Sequence, residues 1–269
     1  MSPVLSRVMT ATILLAVFMP ALFWAPPGVW AALVSIAMVV AAHEWARLSR
    51  FPARVSTTYA VILGLITLAL PYLPEINQSA TRYGLLIMAA VFWILFAPLW
   101  LSRRWRGQGF LLRVTVGVIV LLPTWAALLY LRERSPWILL AVMAVVWIAD
   151  TAAFFAGRSF GQRKMAPGIS PGKTWEGVYG AVFALVLYAS AVSAAVVGLR
   201  IIGALVLTMA LLYFSVLGDL FESWIKRVAE MKDSGTLLPG HGGVLDRIDA
   251  LTSALPIAAG VLMLAEHYQ

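Results

Sequence analysis

The chain has 269 residues, 62% of them hydrophobic and only 12% charged, with a formal net charge of +8. A soluble domain carries about 25% charged residues, so this composition excludes an ordinary water-soluble enzyme. Cysteine is absent, which excludes disulfides, thiolate nucleophiles and cysteine-based zinc sites.

Apolar runs close to the roughly 20 residues a helix needs to cross a bilayer recur along the chain. They fall at about 8–24, 29–46, 56–73, 84–101, 111–131, 136–156, 176–198, 200–221 and 248–266. Backbone polar groups cannot stay unpaired in lipid, and the alternating pattern of a membrane barrel is absent. The reading is an all-α, polytopic membrane protein of about nine transmembrane helices. The first run has Arg7 before it, as a signal peptide would, but no small-x-small cleavage site follows at the right distance. The APPG at 25–28 reads instead as a tight turn into a second span. The spans divide into an N-terminal region, 1–135, with about five, and a C-terminal region, 136–269, with about four.

Sixteen of the twenty basic residues lie at the N-terminus or in loops after even-numbered spans; only Arg82, Arg132, Arg134 and Arg200 lie opposite. Positive residues stay inside. This puts the N-terminus and the even loops in the cytoplasm and the C-terminus outside, in a multi-pass protein of the cell's inner membrane. The net charge is therefore mostly topology, aided by attraction to anionic lipid. No basic, aromatic-interleaved soluble module exists for nucleic acid. In the first five spans the loops are short and arginine-rich, with little acid beyond Glu44. Two later cytoplasmic loops, about 157–175 and 222–247, are long and chemically mixed.

All four lysines, Lys164, Lys173, Lys226 and Lys232, sit in those two loops, against sixteen arginines spread along the chain. An ammonium is a compact point charge, whereas guanidinium is a planar fork, so the two loops read as one polyanion site. Asp219, Glu222, Ser223 and Lys226 follow helical spacing and share a face. Asp246 and Asp249 share another where the ninth span begins. Acids beside Lys226, Arg227, Lys232 and Arg247 suit magnesium, which binds through one or two carboxylates plus substrate phosphates. In PGHGG, Gly240, Gly242 and Gly243 allow close backbone approach and an anion nest, with His241 as a further donor. Asp150 is one more acid at cytoplasmic depth.

GISPGKT resembles a nucleotide-binding phosphate loop, but that motif needs four residues between its glycines and here Gly168 and Gly172 enclose three. No strand is expected before it, only a membrane helix. Ser170, Gly172, Lys173 and Thr174 remain candidates for phosphate contact, since they lead into the seventh helix.

The stretch from Ser223 to Asp249 strongly resembles the signature of the phosphatidate cytidylyltransferase (CDP-diacylglycerol synthase) family. The matching residues are Ser223, Ile225-Lys226-Arg227, Lys232-Asp233, Gly235, Leu238-Pro239, His241-Gly242-Gly243 and Asp246-Arg247-Ile248-Asp249. The run from Asp150 through Gly157-Arg158 to ISPGKTWEG is similar to that family too. The resemblance implies transfer of a cytidylyl group from CTP to phosphatidate, with pyrophosphate released. On that reading Asp219, Asp246 and Asp249 hold magnesium, and Asp219, Lys226, Asp246 and Lys173 are catalytic. Ser170, Ser223, Arg227, Lys232, His241, Gly242, Gly243 and Arg247 join the two lysines in binding the substrate phosphates. Whether a second cation sits beside magnesium, and whether the chain is a monomer or a homodimer in the bilayer, is left open. A CTP-dependent lipid kinase shares such a polyanion site. A transporter of anionic metabolites shares the many spans, but would place its charges nearer the midplane.

Overall fold

A computed structural model describes residues 3–73, 79–107, 109–196, 198 and 200–267. The predicted sidedness of residues 268–269, and residue 197 near the end of the seventh predicted span, fall outside them.

The apolar runs are helices, each satisfying its own backbone as a lipid environment demands. In chain order they are α1 (Pro3–Trp24), α2 (Pro27–Leu48), α3 (Ala53–Ala69), α4 (Ser79–Val91), α5 (Ala97–Ser102), α6 (Phe110–Arg134) and α7 (Pro136–Phe160). Strands β1 (Lys164–Ala166) and β2 (Ser170–Thr174) follow, then α8 (Trp175–Ala195), α9 (Ile201–Ala229), α10 (Leu245–Ile248) and α11 (Leu251–His267). Among the described residues seven helical segments are long and apolar enough to cross a membrane. Two shorter apolar ones, Val8–Trp24 and Leu251–His267, stand at the first and ninth predicted places. Helices α4 and α5 form one segment joined by a π-turn, Phe92–Phe96. Pro98 explains it: the ring has no N–H to give and crowds the carbonyl one turn back, so the helix widens instead of breaking.

Several boundaries move relative to the sequence reading, and two of the shifts matter for the site. Helix α9 runs to Ala229 rather than 221, so Ser223, Lys226 and Arg227 ride on a helix and not in a loop. Apolar counting stops at the membrane boundary, but lysine and arginine are good helix formers and suit a helix C-terminus. Glu230 ends the helix in a left-handed conformation (φ 59°), and the Met231 N–H closes on the Lys226 carbonyl at 2.9 Å. Likewise α7 runs to Phe160, and the loop after it is an antiparallel hairpin pairing Lys164 with Thr174 and Ala166 with Ser170. The expectation that no strand precedes GISPGKT is thus corrected. The hairpin still lacks the nucleotide-loop architecture, because its Gly172 and Lys173 lie within β2 itself.

The polar contacts sort the loops to two ends. At one end Arg50 pairs with Glu230 (3.2 Å), Trp224 Nε1 donates to the Trp105 carbonyl (2.8 Å) and Thr10 Oγ1 to the Pro239 carbonyl (3.0 Å). At the other Arg82 pairs with Glu133 (2.8 Å), Arg134 with Glu266 (2.7 Å), and Arg132 Nε donates to the Leu22 carbonyl (3.0 Å). The arginine-rich loops and the two mixed loops therefore share one end.

Helix α11 is buried from Leu251 to Ala259 and packs against α4, α6 and α9. Phe221 of α9 is gripped edge-on by Phe92, Trp93 and Trp100, with ring centroids 5.4–5.7 Å away. At Gly218 a Cβ would stand 2.6 Å from the Asp249 carbonyl, so α9 meets the turn before α11 backbone to backbone. That close approach brings Asp219 alongside Asp249.

Candidate active site

Helix α9 supplies the first row of the site. Ser223 Oγ donates to Asp219 Oδ1 at 3.1 Å, one turn apart on the predicted face. The other Asp219 oxygen pairs with the Lys173 ammonium, carried in from β2. One turn further, Lys226 Nζ lies 2.7 Å from Asp246 Oδ1 and 3.3 Å from Glu222 Oε1. Glu222 is buried, and beyond this ion pair neither of its oxygens accepts a hydrogen bond among the described residues. Arg227 Nε donates to the Ile169 carbonyl at 3.1 Å, tying α9 to the hairpin.

The glycine-rich loop between α9 and α10 is an anion nest, as its sequence suggests, but protein carboxylates already occupy it. Asp246 Oδ2 accepts from the Ser234 N–H (2.8 Å), the Ser234 hydroxyl (2.9 Å) and the Gly243 N–H (2.8 Å). Burial opposes charge on Asp246, yet the Lys226 ammonium and these N–H groups prevail, holding its carboxyl below the usual range. Gly242 has φ +78°, and a Cβ there would sit 2.5 Å from Asp246 Oδ2, so only glycine fits the turn. His241 N–H donates to the Leu238 carbonyl (2.8 Å), while its buried Nδ1 has no partner. Lys232 and Arg247 are exposed beside the loop.

The second carboxylate in the nest comes from α2. Glu44, only 4% exposed, accepts from the Leu245 N–H (2.7 Å) and the Val244 N–H (3.1 Å), and shares the single Ser234 hydroxyl proton (3.1 Å) with Asp246. The sequence reading passed over it as a stray acid in an arginine-rich region. One signal was available: a carboxylate a full turn inside an apolar span is expensive unless it has partners.

Asp249, between α10 and α11, accepts from the Ala250 N–H at 2.8 Å. Burial first, then the neighbouring Asp219 carboxylate, opposes charge on it. More acid is gathered here than the adjacent lysines offset. Among the described residues no three acidic or histidine side chains converge on one metal position. The donor set therefore fits a cation held by one or two carboxylates and completed by ligand oxygens, not an all-protein cage.

A cavity of about 460 Å³ opens between α7, α8, α9 and the hairpin. Asp150, Lys173, Asp219 and Ser170 line its polar part, while Phe154 and Val216 are among its apolar walls. Its size lies within the range of small-molecule sites. The structure thus gathers Lys173, Asp219 and Ser223 in one group and Lys226 with Asp246 in a second one further along α9, sets Asp249 beside them and Ser170 in the cavity. Arg227 faces the hairpin, and His241, Gly242 and Gly243 belong to the nest.

Comparison with known proteins then places the chain. Residues 5–265 match the model of the cytidylyltransferase family. The chain is 38% identical to the phosphatidate cytidylyltransferase of Pseudomonas aeruginosa, covering 96% of this chain and 97% of that one. It is 37% identical to the protein of the same name from Haemophilus influenzae, over 93% and 95%. A Bacillus subtilis phosphatidate cytidylyltransferase is 46% identical over 121 residues, 45% of each chain. With the match running nearly end to end, this chain belongs to the cytidylyltransferase family.

Proposed function

We propose that the chain transfers the cytidylyl group of CTP to phosphatidate, forming CDP-diacylglycerol and pyrophosphate, and that the linked lysine–aspartate pairs are its catalytic centre. The observation that carries this reading is the pairing of Lys173 with Asp219 and of Lys226 with Asp246 at one end of the bundle. A phosphate oxygen of phosphatidate attacks the α-phosphorus of CTP. The new P–O bond forms as the α–β phosphoanhydride bond breaks, and pyrophosphate carries away the electron pair. Phosphatidate is already anionic near neutral pH, so no general base is needed.

Magnesium, when bound, neutralises charge on the departing pyrophosphate and holds the phosphates in line. Asp219 and Asp249 are the two carboxylates that would hold it, with Asp246, the third carboxylate of the sequence reading, keeping Lys226 beside them. Lys173, released from Asp219, and Lys226 would then clamp phosphate oxygens. Preorganised charge of this kind often lowers a reaction barrier more than any other single effect. Ser170, Ser223, Arg227, Lys232, His241 and Arg247 would serve as further phosphate donors, and Gly242 and Gly243 shape the turn that carries His241. The catalytic groups come from the C-terminal region, 136–269, while the N-terminal region contributes Glu44. The end bearing the mixed loops faces the cytoplasm, where CTP is found; the arginine excess at that end supports it.

The deciding assay supplies purified protein with phosphatidate, magnesium and CTP labelled at either the α- or the γ-phosphate. Label from the α-position in a CDP-diacylglycerol product is expected; label from the γ-position would mean a lipid kinase instead. Cysteines placed at Ser159 and, because Ser234 is buried, at the exposed Thr236 should both react with an impermeant reagent from the cytoplasmic side, and labelling on opposite sides would sink the shared site.

A further inference from the structure

A second cavity, of about 400 Å³, lies between α2, α3 and residues 235–237 of the glycine-rich loop, and the catalytic network does not use it. Its chemistry is graded along the helix axis. At the loop end stand Arg47 and His43, one turn apart on α2, with Thr57 of α3 opposite. Neither His43 nor Arg47 has a hydrogen-bonding or ionic partner among the described residues. One turn deeper the walls turn apolar, with Val39, Val40 and Val61. The cleft is closed at depth because α2 and α3 touch there: a Cβ on Gly64 would run into the Val39 side chain. Its outer rim is also apolar, Val61 being 49% and Leu237 59% exposed. Glu44 forms part of the wall, but three donors already engage its carboxylate, so its charge is turned toward the loop.

Basic donors at the depth where a span leaves the bilayer, above a narrow apolar slot open at its rim, match a phospholipid: phosphate at the interface, acyl chain below. We infer that this cleft binds the phosphate head of an anionic phospholipid from the surrounding leaflet, with Arg47 and His43 as its donors. Arg47 is suited to the task because its fork can engage two phosphate oxygens at once. The occupant would touch Gly235, Thr236 and Leu237, and so lie against the loop that carries Ser234 and Asp246. Two sources share this chemistry: phosphatidate on its way to the reaction, or a resident anionic lipid such as phosphatidylglycerol. Only the first rests on the function proposed above.

The test uses the full chain in phosphatidylcholine nanodiscs doped with either dioleoyl phosphatidate or dioleoyl phosphatidylglycerol. Bound lipid is counted by native mass spectrometry without CTP, and turnover is measured in parallel. The variant is His43→Gln with Arg47→Gln, and the control is Arg54→Gln, which removes a charge from the first turn of α3 outside the cleft. The double variant should lose one tightly held anionic lipid, and the control should keep it. If phosphatidate is the occupant, KM for phosphatidate rises about tenfold while KM for CTP and kcat hold. If a resident lipid is the occupant, phosphatidylglycerol displaces phosphatidate in the count and the KM is unchanged. Equal lipid counts and equal kinetics in the double variant and the control would overturn the inference. Because the count needs no turnover, it stands or falls apart from the cytidylyltransfer reading.

Discussion

The two mixed loops at the basic end are held in opposite ways. The hairpin after α7 is locally self-sufficient. It has a strand ladder, and Glu176 accepts from the Gln162 and Arg163 N–H groups at 3.1 Å each. The glycine-rich loop after α9 has only one isolated bridge of its own, Leu238 to Gly242, and takes its shape from two buried carboxylates. One of these, Glu44, is about two hundred residues away in sequence. The loop with the denser chemistry is the one that cannot hold itself. Glycines that permit tight turns also forgo side-chain packing, so fixed charges must do the positioning, and the N-terminal helices become part of the candidate site's frame rather than a mere anchor.

The largest break in this comparison should come from Asp246→Asn. The amide would set an N–H₂ group against the Ser234 and Gly243 donors or against Lys226, and would leave the buried Lys226 ammonium with Glu222 alone. Breaking a buried pair in this way costs about 3–5 kcal/mol. Turnover should fall at least about a hundredfold, roughly 2.7 kcal/mol of transition-state stabilisation, in protein that still inserts. Proteolysis should become faster at residues 231–244 but not at 164–174. Equal loosening of both loops would mean that the hairpin too depends on Asp246.

Lysine-to-arginine exchange comes next. Both lysines bridge to carboxylates in tight quarters, and a planar fork offers the wrong donor geometry for a site built around a point charge. Lys226→Arg and Lys173→Arg should each lower turnover at least about tenfold, near 1.4 kcal/mol. Lys226 should suffer more, since its side chain is 14% exposed and its Asp246 partner 4%, against 22% and 25% for Lys173 and Asp219. Arg104→Lys, where only charge is read, should change little. If all three behave alike, the clustering of lysines in these loops has no chemical meaning.

Glu44→Gln probes the long-range support directly. The amide keeps the size and one acceptor oxygen, but it weakens charge-assisted bonds to Val244 and Leu245 and places donors near Ser234. Losing one such bond is worth about 1 kcal/mol, so a fall in turnover of about fivefold is expected, with faster hydrogen exchange confined to 231–246. Unchanged exchange there would show that the loop keeps its shape without α2.

Much of this was legible in the sequence, for identifiable reasons. Spans follow from apolar length, and the single basic end follows from where the arginines fall. The i, i+4 pairing of Asp219 with Ser223 follows from helical periodicity, because it lies within one helix. What periodicity cannot supply is partnership between distant segments. Glu44 looked incidental because its three partners lie in a loop 190 or more positions away. The nest was recognised from PGHGG, but whether protein or ligand fills it depends on which carboxylates the fold delivers. The hairpin went unread because KMA and SPGKT carry no strand alternation, and its register is fixed by the turn between them and by Glu176.

The smallest expected effect sharpens the other side of the comparison. Thr174 closes the hairpin and caps α8, its Oγ1 accepting from the Gly177 N–H at 3.2 Å. Gly157 and Gly161 crowd the same hydroxyl, where an added Cβ would lie about 3 Å away, so Thr174 fills the seam between α7 and α8. Replacing a capping threonine by alanine costs about 1 kcal/mol, which lowers a melting midpoint by about 2–4 °C in a chain of this size. Because the strand ladder and the Glu176 bonds remain, Lys173 should keep its place and turnover should stay within about twofold. Thr174→Ser, which restores the acceptor, should recover most of the lost midpoint. A large loss of turnover in Thr174→Ala with the midpoint unchanged would instead mean that this hydroxyl contacts the reacting phosphates, and that the hairpin is no more self-sufficient than the glycine-rich loop.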